Sequence, residues 1–333
     1  DVVKREGFPV VGRVHLHVEG DTPLTSALSA GLGIVQLAPL IAELKPDVVV
    51  TIGDRFETLA TAVAASYQNI PLAHAQGGEI TGSLDEKVRH AVTKLSNLHF
   101  AATEKAAERI VAMGEDEGTV HWTGCPSIDL AARVKANGQH ELPAMLQEGV
   151  GRFVDLANGY AIVLHHPVST SYASAADEVK QVALAVAGFD QPALWFWPNA
   201  DAGSGEVSGL MRRFREAGTA GLVQFVKNVP PEDFLAILTH ARLLVGNSSV
   251  AMREGGFLGV PAVNVGTRED GRERGPNVVD VGYDSREIKK SMEMQWEHGP
   301  YRESDLYGDG RAGDRIASLL ASAPLTVEKK LRL

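Results

Sequence analysis

The sequence predicts an α/β protein with two doubly wound parallel sheets in succession. Three observations carry this. Apolar strand-like runs alternate with amphipathic helical segments along most of the chain. The strand runs are continuously apolar, as expected where helices cover both faces of a sheet. The alternation lapses over residues 136–157, a polar, Gly-containing stretch without clean periodicity, and then restarts. A length of 333 residues also favours two domains over one. The predicted division is 1–155 for the first domain, 156–318 for the second, and 319–333 for a tail or a helix crossing back.

In the first half, Val10–Val18 reads as a strand and Gly33–Leu44 as a helix. Pro46–Ile52 (strand), Glu57–Tyr67 (helix) and Ile70–Ala75 (strand) follow. Next come the helix Leu84–Leu95, the strand His99–Ala102, the helix Glu104–Met113 and the short strand Val120–Thr123. In the second half, the strands are Tyr160–Leu164, Ala193–Trp197, Val223–Phe225, Leu243–Val245 and Ala262–Val265. The helices between them are Ala173–Ala187, Glu206–Glu216, Glu232–Thr239 and Val250–Phe257. Ligands of such sheets sit beyond the carboxyl ends of the strands, so strand-to-helix turns are where chemistry is expected.

The formal charge of −10 argues against a general nucleic-acid surface while leaving room for a local anion site. Cys125 is the only cysteine, which excludes a disulfide framework or a cysteine metal cluster. No apolar run is expected to approach the roughly 18 residues of a membrane span. With no signal peptide evident, the composition describes a soluble, cytoplasmic protein.

Thr51-Ile-Gly-Asp-Arg-Phe-Glu57 places Asp54 at a strand end before a helix, as a cleft carboxylate or as an N-cap. His74-Ala-Gln-Gly-Gly-Glu79 follows the next strand, and its glycines permit a tight turn or the close approach of a ligand. Ser83 and Glu86 have capping-box spacing. Asp85 lies in the first turn of that helix, where the dipole favours its ionised form. It is a general-base candidate or, with Arg89 four residues on, half of a salt bridge.

Leu164-His-His-Pro167 carries two adjacent histidines whose side chains diverge on a strand end. With no set of partners at ligand spacing, His166 reads better as a phosphate neighbour or proton donor than as a metal ligand. In Val245-Gly-Asn-Ser-Ser-Val-Ala-Met-Arg-Glu254 a strand runs into small polar residues and a helix, which offers backbone N–H groups and the Ser248 and Ser249 hydroxyls to an anion. Glu254 would lie about 9 Å further along that helix, suited to a ribose diol. Arg268 and Arg272 sit in a glycine-flanked loop that is either phosphate-binding or merely solvated.

Taken together, these stretches resemble the hydrolysing UDP-N-acetylglucosamine 2-epimerases that supply N-acetylmannosamine for sialic-acid-type sugars. The resemblance spans nearly the whole chain. It includes Gly53–Phe56, Gly77–Glu79, Asp85 with Val88–Lys94, Gly124–Ser127, His166–Val168 and Pro198–Ser204. It continues through Gly246–Ser249, Arg253-Glu254, Gly266–Arg268, Gly271–Glu273, Asn277-Val278 and Tyr307–Gly310.

The resemblance implies two Rossmann-like domains in a glycosyltransferase-B-like arrangement with a cleft between them, and a homodimer or homotetramer. UDP would lie mainly on the second domain. Ser248, Ser249 and Glu254 would hold diphosphate and ribose, Arg268 and Arg272 would line the pocket, and Asn199, Asp201 and Ser204 would support the nucleotide. The sugar would face Asp54, Asp85, Arg89 and the Gln76–Glu79 loop, with His166 near the diphosphate. Asp54, Glu79, Asp85 and His166 are the implied catalytic set.

The implied chemistry is loss of the C2 proton with departure of UDP, followed by hydration. It needs neither a metal nor a nicotinamide, and no membrane or nucleic-acid partner. Two departures stand out. The family commonly opens with a strand and an Arg- and Asp-containing turn, whereas Asp1-Val-Val-Lys-Arg-Glu-Gly7 reads as the end of a helix, so the first strand and an arginine near the phosphates are expected to be lacking. Gln76 stands where many relatives carry glutamate, and glutamine accepts no proton. The competing readings are the same chemistry on another nucleotide-linked acetamido sugar, a glycosyltransferase of similar architecture, and a catalytically silent nucleotide-sugar-binding protein.

Overall fold

The computed structural model describes residues 2–332 apart from 21, 83, 139–145, 147–148, 152, 169–173, 199–203 and 228. The chain divides into two units. The first comprises Asp1–Glu79, Leu84–Cys125 and Arg311–Leu333, and the second Ile80–Ser83 and Pro126–Gly310.

The first unit runs α1 (Val2–Arg5), α2 (Pro23–Leu44), β1 (Val49–Ile52), α3 (Phe56–Ser66), β2 (Leu72–Ala75), α4 (Asp85–Leu95), β3 (Leu98–Ala101), α5 (Glu104–Ala112) and β4 (Val120–Trp122). Its four strands are parallel and lie in chain order. On one face Ala62, Ala65 and Val92 pack around Leu72. On the other, Ile316, Leu319 and Leu320 cover Ala73, Ala75, Leu98 and Phe100. Those covering residues come from the last helix of the chain.

Val10–Val18 is not a strand. Its polar backbone groups are met by side chains of α2 rather than by a ladder: His15 N–H donates to Gln36 Oε1 at 2.9 Å, Gln36 Nε2 donates to His15 O at 2.7 Å, and Val18 N–H donates to Ser29 Oγ at 2.9 Å. α2 itself starts ten residues earlier than expected. Thr22 caps it through Thr25 N–H at 3.2 Å, and Pro23 fits its first turn. Pro23–Leu44 also corrects the expectation about membrane spans. An 18-residue window of it reaches a mean hydropathy of 1.6, enough by length and composition to cross a membrane. Scattered Thr, Ser and Gln residues hide the length of this uncharged run. In the folded chain the helix packs on α3, with Gly33 allowing close approach to Ala60, and buries Ser29, Gly33 and Ile41.

The second unit runs α6 (Pro126–Ala136), β5 (Val150–Gly151), β6 (Ala161–Leu164), α7 (Ala175–Ala187), β7 (Ala193–Phe196), α8 (Ser204–Glu216), β8 (Val223–Val226) and α9 (Pro231–Thr239). It continues with β9 (Leu243–Gly246), α10 (Glu254–Leu258), β10 (Ala262–Val265), β11 (Val278–Val281) and α11 (Ser285–His298). The strand order is β11-β10-β9-β6-β7-β8-β5, with only β5 antiparallel. From β6 the chain winds outward one way through β7 and β8, and from β9 the other way through β10 and β11. The order therefore reverses between β6 and β9. Trp195 anchors the core between Phe214 and Phe225.

The units meet in sequence at Cys125/Pro126, not near 155, because α6 packs against α9 and α10 of the second unit. The crossing back likewise begins at Arg311, and α12 (Ala312–Ser322) belongs to the first unit. Beyond α12 the tail lies along the same unit. Lys329 Nζ donates to Thr93 O at 3.0 Å and Ser96 O at 2.5 Å, and pairs with the buried Glu115 at 2.5 Å.

Candidate active site

In the first unit three segments converge on one guanidinium. Arg89, on α4, is 1% exposed. It pairs with Asp54 in the turn after β1, donates to Glu86 Oε2 at 2.6 Å, and donates to the Glu79 carbonyl at 2.7 Å. Asp54 is therefore no helix cap. The N-cap of α3 is Arg55, which makes no side-chain cap bond. α4 has Leu84 at its N-cap without a side-chain bond, and the Glu86 carboxylate serves Arg89 and His90. The expected capping box of Ser83 with Glu86 involves Ser83, which lies outside the described residues. Asp85 opens α4 and is half-buried.

The loop after β2 is held under backbone constraint. Gln76 adopts φ +68°, unusual for a residue with a side chain. Its N–H donates to Phe100 O at 2.9 Å and its Nε2 to Cys125 Sγ at 3.2 Å. Gly78 has φ +74°, and a Cβ there would collide with the Ala106 carbonyl oxygen, so only glycine fits. Arg109 donates to Gly78 O at 3.2 Å. The loop ends at Glu79, which is 3% exposed. Beneath it lies His74, whose Nε2–H donates to Gly53 O at 2.8 Å; burial drives its pKa down to about 4, so it is neutral.

In the second unit the expected anion turn falls at the reversal of strand order, where doubly wound sheets bind ligands. Gly246, with φ +134°, lets β9 press against β6: a Cβ there would collide with Leu164 O. Asn247 then stitches the two strand ends together. Its Oδ1 accepts from His166 N–H and its Nδ2 donates to His166 O, both at 2.8 Å. Ser248 caps a single 3₁₀ turn, Ser249–Ala251, through Val250 N–H at 3.4 Å. His165 turns inward, its ring 5.9 Å from Tyr283 and edge-on. Burial, reinforced by Arg268, lowers its pKa to about 3.

The helix expected over Val250–Phe257 is broken. Asn277 Nδ2 donates to Ala251 O at 3.0 Å, taking the carbonyl that a continuous helix would give to Gly255, and α10 restarts at Glu254. Glu254 thus begins a new helix instead of lying two turns along the first. Its Oε2 is buried and has no hydrogen-bond partner among the described residues. Arg268 Nη1 donates to Asn247 O at 3.1 Å and to Glu269 Oε1 at 2.8 Å, and Arg272 pairs with Glu269 Oε2 at 2.5 Å. The loop is not a solvated one, since Glu269 and Arg272 are buried. Ser204 opens α8, beyond the neighbouring strand β7, and lines a cavity of about 560 Å³ with Trp197, Ser208, Arg212 and Lys227. Asn199 and Asp201 lie outside the described residues.

Residues without an expected role of their own also matter here: His74, Asn247 and Asn277. The sequence signal for Asn247 and Asn277 is a polar amide next to an apolar strand, which is costly to bury unless fully bonded.

A model of the family described as UDP-N-acetylglucosamine 2-epimerase matches residues 1–321. The chain is 29% identical to the UDP-N,N'-diacetylbacillosamine 2-epimerase (hydrolyzing) of Legionella pneumophila, over 97% of this chain and 83% of that one. It is also 29% identical to the UDP-N-acetylglucosamine 2-epimerase of Neisseria meningitidis serogroup B, over 92% and 78%. The fold is that of the Methanocaldococcus jannaschii UDP-GlcNAc 2-epimerase, solved in complex with UDP-GlcNAc and UDP. The TM-score is 0.79 with 18% identity, covering 96% of this chain and 86% of that one.

The buried histidines make stability depend on pH. His74 and His165, and in the same direction His99, have folded pKa values pushed below the ordinary 6.5 by burial. Between pH 6.5 and 4 the unfolded chain binds protons that the folded chain refuses. Their contribution is complete above pH 6.5 and is lost as pH falls. Glu115, which burial alone would raise, is held at about 2 by hydrogen bonds from His99, Lys329 and Lys94, so its contribution is lost only below pH 4.5. Urea titrations should show the unfolding free energy falling between pH 7 and pH 5 by about 2 kcal/mol for each fully buried histidine. A stability that stays flat across that window would contradict the neutral buried state.

Proposed function

The chain belongs to the UDP-N-acetylglucosamine 2-epimerase family, and we propose that it is a hydrolysing member, converting UDP-N-acetylglucosamine and water to UDP and N-acetylmannosamine. The observation that carries this reading is the gathering of Asp54, the Glu79 loop and, through Glu86, the first turn of α4 around the Arg89 guanidinium, with Asp85 beside Glu86 in that turn. Inverting a carbon centre requires one group to take a proton and another to return one, and three carboxylate residues in linked segments meet that need.

Proton transfer falls to Glu79 or Asp85. Gln76 has no acid–base chemistry, and its amide is spent on Cys125. A carboxylate takes the C2 proton. The C–H electron pair forms the C1–C2 double bond, and the C1–O bond breaks with its electrons leaving on the β-phosphate of UDP. Water then adds at C1, and a proton is delivered to the opposite face of C2. In the second unit, His166, Arg268 and the Ser248–Ser249 turn stabilise the departing diphosphate. Glu254 Oε2, which has no partner among the described residues, accepts from a ribose hydroxyl. The name of the Legionella relative favours a second reading, the same steps on a UDP-linked diacetamido sugar.

A homodimer or homotetramer is supported by α2, whose outer face exposes Leu24, Leu28 and Val35 with no charge before Glu43. Sedimentation velocity should give a dimer or tetramer that Leu28→Glu with Val35→Glu converts to monomer. A wild-type monomer at micromolar concentration would remove this reading.

Two variants should separate binding from chemistry. Glu254→Ala should weaken UDP binding by roughly 1.5–3 kcal/mol in calorimetry, the worth of one hydrogen bond to a charged group. Asp85→Asn should leave UDP affinity intact and depress turnover at least tenfold. Full turnover in both Asp85→Asn and Glu79→Gln would overturn the proton-transfer assignment.

The decisive test is turnover in deuterated water with UDP-N-acetylglucosamine and its diacetamido counterpart run side by side. The expected product is free N-acetylmannosamine carrying deuterium at C2, with UDP in equal amount, read by mass spectrometry and proton NMR. A 2-epimer still bound to UDP would identify a non-hydrolysing epimerase. Free N-acetylglucosamine with its original C2 hydrogen would refute epimerisation, and binding without turnover of either sugar would leave a silent binding protein.

A further inference from the structure

We propose that His74 is a positioning residue of the first unit, a neutral group that sets the Asp54 turn in register with the helix carrying Arg89. The proposal rests on the reading of Asp54 and Arg89 as part of an epimerase site, and it assigns a role to a residue that touches neither sugar nor nucleotide.

His74 is fully buried near the end of β2. By alternation along the strand it shares the face of Leu72, the face packed by α3 and α4. Its Nε2–H donates to Gly53 O at 2.8 Å, one residue before Asp54. A carbonyl only accepts, so this bond fixes the Nε2–H tautomer and leaves Nδ1 as the acceptor. Nδ1 faces Thr93 Oγ1 at 3.5 Å. Thr93 lies four residues after Arg89, on the same face of α4. One rigid ring therefore touches the backbone just before Asp54 on one side and α4 one turn beyond Arg89 on the other.

The third segment rests on the same ring. A Cβ on Gly77 would lie 3.0 Å from both His74 Nδ1 and Thr93 Oγ1, so the loop leading to Glu79 seats directly on this pair. Arg89 pulls the three segments together by charge, and His74 fixes how far apart they stop. A satisfied core histidine with no such task would change folding stability alone when replaced. A positioning histidine should change turnover while leaving substrate recognition on the other unit untouched.

The charged and titratable groups facing His74 are Arg89 and Asp54, with His99 on the neighbouring strand. Burial and the neighbouring Arg89 charge keep the ring neutral, which preserves the acceptor at Nδ1.

The experiment compares wild type, His74→Gln, whose amide nitrogen reaches the Nε2 position, and His74→Phe, which keeps bulk and loses the donor. In His74→Phe, kcat should fall at least tenfold with UDP affinity within twofold of wild type, and His74→Gln should recover most of kcat. Hydrogen exchange gives a readout independent of turnover. The Gly53 amide, bonded to Ala75 O at 3.0 Å, should exchange at least tenfold faster in His74→Phe and near the wild-type rate in His74→Gln. Nitrogen-15 NMR of wild type should find the neutral Nε2–H tautomer at pH 6. An Nδ1–H tautomer, unchanged kcat and exchange in a folded His74→Phe, or equal losses in both variants would overturn the proposal. If wild type turns over neither sugar, the epimerase reading fails, and Gly53 exchange and the tautomer still decide whether His74 sets the turn.

Discussion

A guanidinium almost wholly withdrawn from water must have its charge and its donors met, because an unpaired buried charge costs several kcal/mol. Arg89 is such a group, and the first unit is arranged around its needs. The partners are a carboxylate from one strand-end turn, a backbone carbonyl from the next, and a carboxylate from its own helix. Each comes from a segment with little intrinsic rigidity: a glycine turn, a loop with a glutamine at positive φ, and the first turn of a helix lacking a side-chain cap. The charge supplies attraction without a fixed distance. The neutral ring of His74 and the Gly77 backbone packed on it supply the distance.

The second unit solves a similar problem without charge at its centre. There the strand order reverses, two adjacent strands send their chains in opposite directions, and the gap between their ends exposes backbone groups. Asn247 fills it with a two-way amide bond to His166. Asn277 then diverts the carbonyl of Ala251, breaking a helix that would otherwise run straight on. The break puts Glu254 at a helix start with one oxygen unspent among the described residues. A buried carboxylate oxygen without a partner is costly, and the proposed ribose contact would relieve that cost.

Much of this is legible in the sequence, and the failures have physical causes. Continuous apolar runs locate nine of the strands to within a few residues, because burial on both faces leaves a strong pattern. Val10–Val18, interrupted by Arg13, His15 and His17, fails as a strand, since a strand is made by its neighbour and Gln36 and Ser29 meet the backbone first. α11 escapes the sequence reading although Asp284 caps it and Ile288, Ser291, Met292 and Gln295 repeat at helical spacing. At the site, residue identities single out Asp54, Arg89 and Glu254 as polar groups in or just after strand-end turns. Their partners are not legible: spacing along the chain offers Asp54 a cap and Arg89 a neighbour four residues back, whereas folding joins the two across 35 residues. Long-range pairing of charges leaves no periodic trace.

The return of α12 to the first unit has a consequence for how the protein is made. The sheet face formed by Ala73, Ala75, Leu98 and Phe100 is synthesised before the second unit, yet Ile316, Leu319 and Leu320, which cover it, follow only after the whole of Pro126–Gly310. At ordinary translation speeds the gap lasts on the order of ten to forty seconds. During that time the second unit can complete its own core on the ribosome, while the first waits with an apolar face open to water. The half that emerges first is thus the half that matures last. A nascent chain stalled before Arg311 would carry one finished unit and one sticky one, a natural client for a chaperone that recognises exposed apolar sheet.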